Sequence, residues 1–575
     1  MFREEKMSKL ITPYIEKMDT LCPHSYHPTP QFKRDTYYCL NGEWDFAQSK
    51  EECVREYDEK ILVPFAPESS LSKIERTVLP DDFLHYRKNF VLPDNFSGKR
   101  VILHFGAVDQ ICAVSLNDKE LGRHEGGYIP FSFDITEKLT NGENEITVTA
   151  VDGLDHKYPY GKQKYKRGGM WYTPVSGIWQ TVWLEGRPDT HIEDIKITPY
   201  EKGVKIAVTG GDIHKKITLT DSGEVFEFDG NFVNVEPSEV RLWTPENPYL
   251  YYFTLESGED KIESYFAIRW VSTEEIGGKK RLCLNGKPYL FNGLLDQGYY
   301  PDGIFMPATL DGYIDDINMA KSAGFNMLRK HIKIEPMIFY YLCDKLGIAV
   351  FQDMVNNGEY KFGYQTVVPT ISPMFLQKLN DKNTARDPEA RAIFESTMYA
   401  TADHLYNVPS IVYYTIFNEG WGQFLSDEMY EKLKSFDPTR IIDSTSGWFR
   451  RYKTDVDSRH IYFRALKPKM LDGKPLVISE FGGFAHGVKG HTYGESVYGY
   501  KTISDRQEYE DKVCKLYDTE VRALVERGAS AFVYTQVSDV EDEINGLFTY
   551  DRRVIKIDCD RLKKINDDLK SISES

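Results

Sequence analysis

Two glutamates in this 575-residue chain each close an apolar run, and they are where its chemistry would concentrate. Ser410-Ile-Val-Tyr-Tyr-Thr-Ile-Phe417 leads into Asn418-Glu419-Gly420-Trp421, and Pro475-Leu-Val-Ile-Ser479 leads into Glu480-Phe481-Gly482-Gly483. A single glutamate after a strand is ordinarily a solvated or salt-bridged loop residue, but two of them facing each other have a specific use. A carboxylic acid can protonate a leaving oxygen while a carboxylate attacks the anomeric carbon that bears it, which is the requirement of glycoside hydrolysis. Retention of configuration needs the two groups roughly 5–5.5 Å apart, a distance that spacing in sequence does not supply. Three further residues stand close to such runs. Asp353, in Phe351-Gln-Asp-Met354, suits either a sugar hydroxyl or a neighbouring arginine, and Trp421 and Trp448 suit either stacking on substrate or core packing.

The elements that must position these residues change character along the chain. After about Ser272, apolar strands alternate with helical patterns, the signature of βαβ units and a parallel sheet. Eight candidate strands follow: Tyr289–Phe291, Phe325–Leu328, Ile348–Phe351, Ile411–Phe417, Arg440–Asp443, His460–Tyr462, Leu476–Ser479 and Ala531–Thr535. Eight strands close a (β/α)8 TIM barrel, in which residues at the C-terminal strand ends converge on one face. Glu419 and Glu480 then end the fourth and seventh strands, across the mouth from each other. Leu310, Ile314 and Ile317 predict a helix stopping at Gly324, and Pro336 opens another, with Ile338, Tyr341 and Leu342, that ends at Gly347. Upstream, short alternating runs such as Arg100–Phe105 and Glu145–Ala150, and then Gly203–Val208 and Tyr249–Leu255, predict two antiparallel β-sandwiches. The expected domains are 1–187, including an N-terminal extension, 188–272, and 273–575.

Composition narrows the partners. A net charge of −17 argues against nucleic acid and against an anionic membrane surface, both of which require clustered Lys and Arg. Eight scattered cysteines without a CxxC pair predict neither a zinc site nor a disulfide framework, and fit reduced thiols in a cytoplasm. The N-terminal stretch interrupts its apolar residues with charges, unlike a signal peptide, and no run of 18 apolar residues occurs. Arg167-Gly-Gly-Met170 lacks the lysine and the strand–helix setting of a phosphate loop. A homo-oligomer is left open.

With these motifs in this order, nearly the whole chain resembles glycoside hydrolase family 2, the group of β-galactosidases, β-glucuronidases and β-mannosidases. The resemblance rests on Asn418-Glu419, on Ser479-Glu480-Phe481-Gly482, on Phe325-Asn-Met-Leu-Arg-Lys-His331, and on Gly168-Gly-Met-Trp-Tyr-Thr-Pro-Val-Ser-Gly-Ile-Trp179. It implies a jelly-roll sugar-binding domain, an immunoglobulin-like domain and a catalytic barrel, acting with retention of β-configuration and without a metal or organic cofactor. By the same resemblance Glu419 is the general acid/base and Glu480 the nucleophile, Asn418 bonds the sugar 2-hydroxyl, His331 lines the sugar subsite and Tyr462 bonds the nucleophile. Gln536 stands where many members place a tryptophan beneath the sugar, a departure that bears on which sugar fits.

The family's glucuronidases hold the substrate carboxylate with an Asn-x-Lys motif after the last barrel strand. Here the corresponding stretch is acidic, Ser538-Asp-Val-Glu-Asp-Glu-Ile-Asn-Gly546, which favours a neutral sugar. A β-galactoside is the first expectation, on family frequency. A β-glucuronide is the alternative, should Arg552 and Arg553 fold inward, followed by a β-mannoside. A carbohydrate-binding protein that has lost catalysis is the non-enzymatic reading.

Overall fold

The structure is a computed structural model that describes residues 10–367, 381–462, 464–468, 473–494 and 496–574. The first nine residues, on which the reading of the N-terminal stretch partly rests, lie outside the described residues. Alternation along Glu143–Val151, where Asn144, Ile146, Val148 and Ala150 point inward, is typical of the first sandwich. Its six-stranded sheet runs from Glu59–Val63 to Lys119–Glu125 and faces a four-stranded sheet of Tyr37–Cys39, Val182–Arg187, Arg100–Phe105 and Phe131–Asp134. Trp44, Phe46, Leu103 and Phe105 fill the space between them. The second sandwich packs a three-stranded sheet on a four-stranded one between Ile192 and Phe266, around Ile197, Ile206, Phe253 and Leu255.

Eight parallel strands form the third unit: β1 (Phe291–Asp296), β2 (Met327–Lys330), β3 (Ala349–Asp353), β4 (Ile411–Asn418), β5 (Ile441–Ser446), β6 (Asp457–Ile461), β7 (Leu476–Gly482) and β8 (Ala531–Thr535). Their order is β5-β4-β3-β2-β1-β8-β7-β6, and the two end strands approach through side chains, Ser446 Oγ lying 2.9 Å from His460 Nε2. The barrel is thus nearly closed. A hairpin of Val271–Ile276 and Lys279–Leu284 plugs its base with Leu282 and Leu284. Helix α1 (Asp311–Ser322) ends just before Gly324, and α2 (Met337–Leu346) ends at Gly347, whose φ of +76° is the left-handed conformation a helix C-terminus favours.

Strand boundaries differ from those expected, and the reason is chemical. β1, β2 and β3 begin up to two residues later and run on to Asp296, Lys330 and Asp353, while β6 begins at Asp457 rather than His460. On β2, β3, β7 and β8, inward positions two residues apart change from apolar to polar: Met327 then Arg329, Phe351 then Asp353, Val477 then Ser479, Val533 then Thr535. A hydrophobic pattern stops where this polar layer starts, but the strand does not. Among the described residues no helix is long and apolar enough to cross a membrane.

Candidate active site

Arg329, at an inward position near the end of β2, organises the polar layer. Its Nε donates to Asp353 Oδ1 at 3.0 Å, Nη1 to the Ser479 carbonyl at 2.9 Å and to Glu480 Oε1 at 3.0 Å, and Nη2 to Asn418 Oδ1 at 3.0 Å. A guanidinium only donates, so the Asn418 oxygen must face it and the NH2 is left for a ligand. The Arg329 side chain is fully buried and its partners nearly so, so each ion pair acts at low dielectric.

Glu480 reaches the site through a β-bulge. Between Ile478 and Phe481 the register of β7 slips against β8, and both Ser479 and Glu480 turn inward where strict alternation would allow one. Tyr462 donates its hydroxyl to Glu480 Oε2 at 2.6 Å, and Thr535 Oγ1 lies 2.9 Å from the same tyrosine oxygen. Burial alone would raise the Glu480 carboxyl, but His460, Arg329 and the Tyr462 hydrogen bond outweigh it and hold the group down at about 2. Glu480 is therefore a carboxylate across the whole neutral range.

Glu419, directly after β4, has a φ of +53°, a left-handed conformation that costs on the order of 1–3 kcal/mol for a residue with a Cβ. Its amide donates to the Ser446 carbonyl at 2.9 Å, which fixes the turn. Its Oε1 lies 2.8 Å from His460 Nδ1, while Nε2 of the same ring is 3.5 Å from Glu480 Oε1. The imidazole therefore lies between the two acids, hydrogen-bonded to Glu419 and, through Nε2, to Ser446. One oxygen of Glu419, one ring nitrogen of His460 and one oxygen of Glu480 all lie within 4.8 Å of one another, so the acids are as close as a retaining pair requires. The Glu419 side chain is 15% exposed against 6% for Glu480, so Glu419 is the more open of the two. A cavity of about 720 Å3 opens beside Gly420 and Gly422, lined by His156, Asn357, Tyr364 and Phe449 among others.

The other expected residues separate into two groups. His331 comes into the site with its Nδ1 2.7 Å from Asp353 Oδ2; burial, with the Lys162 charge, lowers its pKa to about 4, so the ring is neutral and Nε2 is a free acceptor. Asp353 takes the arginine reading: its oxygens face Arg329 and His331, so it orients those two side chains. Trp448 packs edge-on against His460 with a buried indole N–H that has no hydrogen-bond partner among the described residues. Trp421 is core, set edge-on against Trp171, Tyr160 and Tyr360 with its N–H on the Gly358 carbonyl. Gln536 presents no surface, its amide engaged by Gln297 at 3.0 Å and Asn545 at 2.9 Å. Arg552 does not fold inward; it forms a two-pronged pair with Asp316, and Arg553 donates to the Ile11 carbonyl.

Arg329 and His460 were not singled out from the sequence. Signals existed: Arg329 stands two residues before His331, and His460 two before Tyr462, which on a strand puts each pair on one face.

Two stretches of the chain match family models: residues 68–178 match a galactose-binding-like domain of family 2 glycosyl hydrolases, and residues 276–565 match the TIM barrel domain of the same family. A β-galactosidase of Thermoanaerobacter pseudethanolicus is 28% identical over 299 residues, covering 47% of this chain and 39% of that protein. A putative β-glucuronidase of Formosa agariphila is 24% identical over 74% of this chain and 53% of its own. The first curated relatives are thus matched over little more than a third of their length. Among solved structures, a β-glucuronidase from an uncultured Clostridium species covers 94% of this chain and 99% of its own, with a TM-score of 0.73 at 20% identity, and a β-galacturonidase from Eisenbergiella tayi covers 94% with a TM-score of 0.67. Two sandwiches ahead of a barrel whose mouth holds paired carboxylates define a glycoside hydrolase architecture. The chain belongs to glycoside hydrolase family 2.

Proposed function

We propose that the chain is a retaining exo-β-glycosidase for a terminal neutral sugar, a β-galactoside before others, with Glu480 as nucleophile and Glu419 as general acid/base. The observation that carries this reading is the close carboxylate pair in unequal surroundings. Glu480, ionised and held by Arg329 and Tyr462, attacks the anomeric carbon, while Glu419, the more exposed of the two, protonates the departing oxygen. Water then enters past Glu419, which removes its proton, and Glu480 leaves with net retention. The Asn418 NH2 bonds the 2-hydroxyl, and the His331 lone pair accepts from another sugar hydroxyl. No step requires a metal.

The neutral sugar is supported by the engagement of Arg552 and Arg553 elsewhere. The galactoside is supported by the names of several relatives. A β-glucuronide is the competing substrate, since one relative and several of the solved structures of similar fold carry that name. A panel of nitrophenyl β-galactoside, β-glucuronide, β-mannoside and β-glucoside separates these, with the anomer of the first-formed sugar read by NMR. The expected result is strongest release from the galactoside with a β-anomer. Release from none of them by folded protein that still binds sugar would overturn the enzymatic reading.

A further inference from the structure

The His460 side chain is fully buried, and its ring is read from the groups around it. Nδ1 lies 2.8 Å from Glu419 Oε1, while Nε2 lies 2.9 Å from Ser446 Oγ and 3.5 Å from Glu480 Oε1. The serine fixes which nitrogen carries hydrogen. Ser446 Oγ donates to Ser479 Oγ at 2.9 Å, and Ser479 donates in turn to the Arg459 carbonyl at 3.3 Å. A carbonyl only accepts, so each hydroxyl in this row points away from the ring, and Ser446 must accept from Nε2–H. A ring whose single hydrogen is on Nε2 would set the bare lone pair of Nδ1 against Glu419 Oε1, with nothing between two acceptors. A hydrogen is therefore needed there as well. Were it the one on the Glu419 carboxyl, the acid would be spent on the ring instead of on the leaving oxygen. The arrangement that leaves Glu419 usable as an acid has Nδ1–H donating to Oε1 and the transferable proton on Oε2.

The charges around the ring suit a cation. Glu419 faces it from the end of β4 and Glu480 from β7, with Arg329 and the Tyr462 hydroxyl on the far side of Glu480. Asp443 of β5 faces Arg329 and Ser458, the Arg459 guanidinium is turned to Asp457, and the Tyr498 and Tyr500 hydroxyls face Glu419. Resting on the reading of this site as a retaining β-glycosidase, we infer that His460 is a positioning residue that stays an imidazolium throughout the cycle and serves the two glutamates by turns. In the free enzyme Glu480 is the carboxylate and Glu419 is protonated. In the first step a Glu480 oxygen bonds C1, the bond from C1 to the leaving oxygen breaks, and that oxygen keeps the electron pair and takes the Oε2 proton. Glu480 is then a neutral ester, and Glu419 is the carboxylate, held through Oε1 by Nδ1–H. In the second step Oε2 takes a proton from water as the water oxygen bonds C1 and Glu480 departs as a carboxylate. The charges of the three groups sum to zero at every stage, so the reaction creates no net charge in a site of low dielectric.

Two measurements on the intact chain test this. Neutron diffraction from deuterated wild-type crystals, grown within the pH range of activity, is expected to show deuterium on both ring nitrogens of His460. A bare Nδ1 overturns the inference without need of any variant. The second measurement compares wild type with His460→Gln, which keeps a donor and removes the charge. On the phenyl glycoside of the preferred sugar, kcat/KM should fall about 100-fold, the lower end of what a positioned general acid contributes. On the 2,4-dinitrophenyl glycoside, whose leaving group needs no acid, it should fall far less. Loss of the cation favours the protonated form of Glu419, so the alkaline limb of kcat/KM should move to higher pH. Equal losses on both aglycones, or an alkaline limb that stays in place, are what a merely displaced ring would give, and either overturns the inference. A wild type that cleaves no β-glycoside is a different result, which overturns the underlying reading and this inference with it.

Discussion

At the scale of single residues, the two glutamates differ by their partners, and products can distinguish them where loss of rate cannot. In Glu480→Gly the volume of the nucleophile is vacant on the α face, so azide should enter there and give an inverted α-glycosyl azide. In Glu419→Gly the intermediate still forms on Glu480 when the leaving group is good enough to need no acid, and azide should then give the retained β-glycosyl azide. Swapped products would exchange the two roles. Acidity supplies a second test. With Glu480 ionised down to about 2, the acid limb of kcat/KM cannot come from the nucleophile. His331, neutral until about 4, must lose its acceptor nitrogen first, so the limb is expected near that pH and should move in His331→Gln. A limb unmoved in that variant would remove His331 from sugar binding. The same depressed value acts on stability: from the ordinary 6.5 down to about 4 the unfolded chain binds a proton that the folded chain does not, so this contribution is complete above 6.5 and lost as pH falls through 4.

At the scale of elements, the site depends on strand periodicity and its breaks. Because inward residues recur every second position, the apolar base of the barrel and the polar layer above it lie on the same strands, with Arg329 directly above Met327 and Asp353 above Phe351. That much was legible in the sequence: eight strands, two glutamates at strand ends, α1 and α2 with their terminal glycines. The bulge that turns Glu480 inward and the left-handed turn at Glu419 were not legible, since both are set by neighbouring strands rather than by local residue type. Arg329 is hidden for a related reason: a charged residue inside a strand reads as a boundary until its four acceptors on β3, β4 and β7 are seen together. Its removal should be severe. Arg329→Met leaves Asp353 and Glu480 buried without their cation, an expected loss of about 3–5 kcal/mol by urea unfolding together with most activity. A variant as stable as wild type would show that those carboxylates find other compensation.

At the scale of the whole molecule, the barrel mouth is not built by the barrel alone. Trp171 packs on Trp421 behind Glu419, Tyr172 bonds Glu543, and the Thr173 amide donates to Glu541 Oε1 at 2.9 Å, so three consecutive residues of the first sandwich hold two loops of the site. Beneath them one continuous apolar cluster joins Tyr128, Tyr160 and Trp179 of that sandwich to Tyr299, Phe305 and Ile332 of the barrel. The second sandwich is tied in by Arg34, whose buried guanidinium pairs with Asp260 at 2.7 Å and Glu185 at 2.8 Å and so spans both front domains. An interface that carries aromatic core and buried ion pairs makes the units folding partners, not modules on a tether. A chain beginning near Ser272 would expose the barrel half of that cluster and release the loops around Trp421 and Glu543. It is expected to be poorly soluble or inactive, and the intact chain to melt in one transition by calorimetry. Full activity from the barrel alone, or separate melting of front and barrel in the intact chain, would mean that the sandwiches contribute nothing to the geometry of the site.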